Sequence, residues 1–195
     1  DKTRVTKEDM DCFSPLYTGS LFYLNDKVPA PQITFAGIVD GWAGGRSKAS
    51  VVALFASRPD GSDVRRITFN LHSDFGQDVL PNGRLVYSST KTDWTVDGPR
   101  KSTRMLAVNI DGTDQAPYAE VPDAGENPVY QTDCRVSRAG KAVYFIESSP
   151  DSRFGGGDLA RISQRRPLKS RKVLADSSEG YFKDPCPLDD GRLLC

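Results

Sequence analysis

Four stretches of this chain line up on a glycine: "DCFSPLYTGSLFYL" from Asp11, "DFGQDVLPNGRLVYSS" from Asp74, "DCRVSRAGKAVYFIES" from Asp133 and "DPCPLDDGRLLC" from Asp184. The aligned residues are Gly19, Gly83, Gly140 and Gly191, spaced by 64, 57 and 51 residues. Such spacing, uneven but of one order, is what a fixed core with loops of variable length produces. In each stretch an apolar strand runs into a turn ending in Gly, followed by a second strand such as "RLVYS" or "KAVYF", the signature of a β-hairpin. A polar loop then leads to a second hairpin: "VVALFASRPDGSDVRRITF" (51–69), "RMLAVNIDGTDQAPYAEV" (104–121) and "DLARISQRRPLKSRKVLA" (158–175). Asp60-Gly61 and Asp111-Gly112 mark the first two of these turns, where Gly takes φ > 0 without steric cost, and Arg166-Pro167 marks the third.

Four antiparallel strands per unit describe a propeller blade. A two-sheet sandwich is the competing arrangement, but it gives no reason for a long four-strand period to recur. The expected fold is therefore all-β: a β-propeller of four-stranded antiparallel blades, forming one segment over residues 1–195. Blades are expected at approximately 9–72, 73–130 and 131–181, with a partial fourth at 182–195. Three and a half blades do not close a ring, since closed propellers have about four to eight. The missing blades are expected from a longer protein, from flanking domains or from a protein partner. Consistent with many short strands, 17 Gly and 13 Pro are spread as punctuation along the chain. The nearest thing to an amphipathic helix, "KSRKVLADSSEG", fits a short strand equally well.

Charge excludes one class of partner. Twenty-six basic residues balance 26 acidic ones with no basic run, so nucleic acid is not expected. No apolar run approaches the roughly 18 residues that would cross a bilayer as a helix. The chain opens on "DKTRVTKEDMD", without Met or an apolar leader, and is expected to be a mature or trimmed segment.

The units "LPNGRLVYS", "SRPDGSDVRRITF" and "VNIDGTD" resemble the repeats of TolB-like propellers. Within that group, "NLHSDFGQDVLPNGRLVYSS" and "YFKDPCPLDDGRLL" are similar to the propeller domain of proteins related to the hydrazine synthase alpha subunit. The resemblance implies an extracytoplasmic module, periplasmic or secreted. It also implies flanking domains carrying c-type haem, which this chain cannot attach itself: it has no Cys-x-x-Cys-His, and its only histidine is His72.

In a blade, the loops joining the second and third strands emerge on the same face as those leading to the next blade. Here these are 25–49, 90–103 and 149–157, with 70–74, 122–132 and 176–183 between blades. They supply the expected partner or ligand face: Asp40, Trp42, Arg46, His72, Asp74, Trp94, Arg100, Arg153, Tyr181 and Lys183. The two tryptophans serve either as binding hot spots or as lids folded over the blade tops. "GIVDGWAGGRS" lacks phosphate-loop spacing, so no nucleotide site is read there.

Asp11, Asp74, Asp133 and Asp184 recur once per blade at the start of each inner strand. Pointing inward, they would line the channel mouth and offer oxygen ligands to Ca²⁺; the alternative is that each accepts bonds from nearby amides and fixes a turn. A two-residue turn at Asp190-Gly191 would set Cys186 opposite Cys195 at a separation that a disulfide tolerates. Cys12 and Cys134 read as small buried thiols. No Gly-x-Ser-x-Gly elbow is present, and His72 next to Ser73 does not make a triad. The function expected from these residues is a non-catalytic scaffold or protein-binding module. The alternative is the propeller domain of a multidomain c-type haem oxidoreductase with the haem elsewhere.

Overall fold

The computed structural model describes residues 10–21, 30–43, 47–119, 129–137, 139, 141–152 and 155–195. Its first sheet contains β1 (Cys12–Leu21), β2 (Ala30–Ala43), β3 (Ser47–Ser57) and β4 (Arg65–Arg66), in that order and antiparallel throughout. The second repeats the plan with β5 (Asp74–Val79), β6 (Leu85–Thr95), β7 (Gly98–Val108) and β8 (Ala116–Pro117). The third contains β9 (Tyr130–Ser137), β10 (Ala142–Ser148), β11 (Asp158–Ser163) and β12 (Lys172–Ala175). A final hairpin, β13 (Cys186–Pro187) with β14 (Leu193–Leu194), begins a fourth. One parallel pairing, Thr103 with Tyr130, joins the second and third sheets. These are propeller blades built as the repeat predicts.

The turns explain why the repeat was visible. "RPDGS", "LPNGR", "NIDGT" and "LDDGR" adopt one geometry, in which the Gly N–H donates to the carbonyl of the first residue and that residue's N–H donates to the fifth, at 2.8–3.1 Å. Gly61, Gly83, Gly112 and Gly191 take φ of 77°, 84°, 86° and 87°. A left-handed Gly after a tight turn makes a three-residue hairpin loop with a bulge. In each, the Asp or Asn before Gly accepts a hydrogen bond from the fifth residue's N–H. The loop at Asp190-Gly191 is thus one residue longer than the two-residue turn expected. The register shifts with it, so Cys186 lies opposite Leu194 and Cys195 one position beyond.

Alternation along the strands places one apolar set on each face. Ala36, Leu54 and Ile67 of the first blade pack on Leu85, Tyr87 and Val108 of the second. From the other face of the second blade, Val86, Met105 and Tyr118 pack on Cys134, Phe145 and Ile162 of the third. A smaller cluster, with Phe35 stacked on Phe55 at 5.7 Å between centroids, covers the far face of the first blade. Buried apolar area between blades is the main cohesive term here.

Two features lie beyond the repeat's outline. The segments 25–49 and 90–103, expected as loops, contain paired strand: β2 and β3 run to Ala43↔Ser47, and β6 and β7 to Thr95↔Gly98. Each forms a long hairpin arm. The second feature is a left-handed residue inside each inner strand: Ser14, Gly76 and Asp133, at φ 51°, 63° and 54°. All three sit at a register break, and Asp184 (φ 48°) repeats the conformation just before β13. The bulges are tied across blades. Gln77 Nε2 donates to Ser14 O at 2.7 Å, Cys134 Sγ to Gly76 O at 2.9 Å, and Val136 N to the Asp78 carboxylate at 2.7 Å.

Candidate functional site

An open cleft of about 650 Å³ lies between the first and second blades, over the connection that enters β5. One wall comes from β6, where period-two alternation puts Thr90, Thr92 and Trp94 on the same face. Their partners across the hairpin are Thr103, Lys101 and Pro99. Ser50 and Val51 of β3 form the opposite wall, and His72, Ser73 and Phe75 form the floor. Ser73 fixes that floor: its Oγ accepts from Val52 N at 3.2 Å, and its carbonyl accepts from Thr90 N at 2.9 Å. Trp94 stands 59 % exposed along the wall.

Of the residues expected on the binding face, the cleft therefore unites His72 and Trp94. Arg100 lies on the other face of β7, opposite Asp93. Tyr181, which is exposed, and Lys183 sit on the connection from the third blade to β13, at a different junction. Asp40 and Trp42 occupy β2 opposite Ser50 and Lys48, and their side chains lie outside the described structure. Arg46 and Arg153 fall outside the described residues. Lys101 escaped the sequence reading. Its only signal is register, since it faces Thr92 once 90–103 is recognised as a hairpin.

The four once-per-blade aspartates do not occupy one equivalent position. Asp133 and Asp184 share the left-handed bulge, whereas Asp74 lies two residues before its blade's bulge residue, Gly76, and Asp11 precedes β1 on the surface. The Asp133 carboxyl is pushed above the usual carboxylate range by burial and then by the negative charge of Asp184. Asp74 is buried, and both its carboxylate oxygens accept from Asn70 Nδ2 at 2.8 Å, with Ser89 Oγ 3.2 Å from the same amide. Burial raises its pKa against the lowering effect of those bonds. Among the described residues, no three His, Cys, Asp or Glu side chains gather as a metal cluster.

A polar joint runs between the second and third blades. Arg171 holds the buried Glu147 through Nε at 2.9 Å to both carboxylate oxygens and through Nη2 at 2.5 Å. Gln131 Nε2 donates to Glu147 at 3.1 Å, and Met105 N donates to Gln131 Oε1 at 3.2 Å. Cys134 is fully buried, which drives its thiol pKa well up, whereas Cys12, expected to be buried, is exposed at the start of β1. No disulfide links Cys186 to Cys195 in the structure.

No family model matches the chain. By sequence it is similar to hydrazine synthase subunit alpha of Kuenenia stuttgartiensis, 26 % identical over 133 residues, which is 67 % of this chain and 16 % of that protein. By structure it is similar to hydrazine synthase of the same organism, with a TM-score of 0.77 at 19 % identity, covering 97 % of this chain and 30 % of the other. The chain thus spans less than a third of either relative's length. Among the described residues, no helix is long and apolar enough to cross a membrane. Blades, turns and inter-blade cores agree with both comparisons: this is a β-propeller segment resembling that of hydrazine synthase subunit alpha.

Proposed function

We propose that the chain is a non-catalytic β-propeller scaffold within a larger extracytoplasmic protein, and that its arm-bearing face engages a protein partner or a flanking domain. The observation that carries this reading is the pair of hairpin arms. Strand pairing continues well past the blade, and the arm at 90–103 presents Trp94 and a fully exposed Val96 at its tip. Phe69 and Leu71, on the connection beside the same cleft, are 73 % and 61 % exposed. Concentrated exposed apolar groups on one face mark an interaction surface. The small share of the matched relatives that the chain covers supports a role as one module among several.

Hydrogen exchange on the full-length protein and on the 195-residue chain tests this directly. Amides of 69–73 and 90–101 are expected to be better protected in the full-length protein. Equal exchange along the whole arm-bearing face would overturn the reading.

A second reading is favoured by the similarity to hydrazine synthase subunit alpha: the propeller of a multidomain c-type haem oxidoreductase, with the haem bound outside these residues. A pyridine haemochrome assay on the full-length protein separates the two. A c-type spectrum moves this reading to first place, and a haem-free protein removes it.

A further inference from the structure

We infer that the cleft between the first and second blades binds a small ring-bearing carboxylate, with the ring against Trp94 and the carboxylate on Lys101 and His72. This goes beyond protein docking on the arm tips, because it assigns the cleft between the blades to a small molecule. Charge carries the first part of the argument. Among the described side chains, Lys101 and His72 are the ionisable groups lining the cleft, and none of the lining groups described is a carboxylate. Neither makes a hydrogen bond or salt bridge among the described residues, whereas Lys91, on the other face of the same arm, is neutralised by Asp93 at 2.6 Å. An ammonium at the mouth of a cleft, with no partner among the described residues, attracts an anion.

Shape carries the second part. Trp94 and Pro99 are cross-strand partners and form one apolar wall, with the indole more than half uncovered. A flat aromatic surface next to a charge suits a ring carrying a carboxylate, since stacking and ion pairing then act on different edges of one molecule. Ser50, Ser73, Thr90 and Thr92 also line the cleft and offer hydroxyls to the polar edge of such a ring. The volume of about 650 Å³ lies in the range of small-molecule sites, roughly 300–1,000 Å³. The floor is pinned by the two Ser73 hydrogen bonds, so binding orders little that is loose.

Isothermal titration of the full chain with three probes tests the inference: a disaccharide containing glucuronic acid, a neutral disaccharide of equal size, and benzoate. The expected result is measurable binding of at least one acid and at least tenfold weaker binding of the neutral sugar. The sugar acid and benzoate arms tell a hydroxylated from an aromatic ring. Lys101→Gln should weaken the acid at least tenfold, Trp94→Ala should abolish it, and Lys91→Gln should leave it unchanged. Thermal melting of each variant guards against misfolding. Equal affinity for acid and neutral probes, no binding of either acid, or insensitivity to Lys101→Gln would overturn the inference. None of these outcomes bears on protection of the arm tips by a partner, which the exchange experiment reads separately.

Discussion

At the scale of single residues, the turn glycines are not equivalent despite sharing one backbone shape. A Cβ on Gly112 would stand 2.7 Å from Ile67 O, while one on Gly191 meets nothing within 4 Å. Both substitutions incur the left-handed penalty of about 1–2 kcal/mol. Gly112→Ala must also displace backbone, so it is expected to cost more than Gly191→Ala, as urea denaturation will show. Two carboxylates give opposite pH slopes. Asp111 is held below the usual carboxylate range, first by the Thr113 hydroxyl, so its contribution is present above the ordinary carboxylate pKa and is lost as pH falls through its folded value. Asp74, raised by burial, contributes most below the ordinary carboxylate pKa and loses that contribution as pH rises through its folded value. Relative to Asp74→Asn, the wild type should therefore lose stability from about pH 4 upward, measured by denaturation across pH. The glycines were legible from sequence because Asp-Gly and Asn-Gly announce φ > 0. The left-handed bulge was not legible, because Ser14, Gly76 and Asp133 share no residue type.

At the scale of strands and their junctions, Glu147 and Arg171 join a strand to its neighbour's connection and, through Gln131, to the blade before. Removing one member of a buried pair strands the other charge. Arg171→Ala is expected to destabilise by about 3 kcal/mol, whereas the double change Glu147→Gln with Arg171→Met should recover much of that loss. Equal destabilisation by the two variants in urea melts would show that the joint does not act as a pair. Sequence reading found the strands whose faces are apolar, since alternation is the signal. It lost the outer halves of the arms for the same reason. Thr90, Thr92, Trp94, Pro99 and Lys101 carry no apolar alternation, yet Thr and Trp sustain a strand when the partner is in register. With the arms read as loops, Lys101 had no place beside His72 and Trp94, although all three line one cleft.

At the scale of the molecule, each blade touches its neighbours through one apolar junction, the arrangement of a repeat protein with nearest-neighbour cohesion. Phe145→Ala empties the second of these junctions and is expected to cost about 3–5 kcal/mol, a large part of a typical domain's stability. Hydrogen exchange should then rise in β9–β12 while the β2–β3 ladder of the first blade keeps its protection. Uniform acceleration across all strands would instead mean that the blades open as one unit.

The ties across the inner-strand bulges give that stack a direction. A bulge carbonyl accepts at both junctions, but what reaches it differs: an amide side chain at the first, a thiol at the second. The second and third blades therefore each bear an address for the one before. The blades share a plan but are not interchangeable parts, and an order that exchanged them would keep every strand while losing the joints that say which blade comes next.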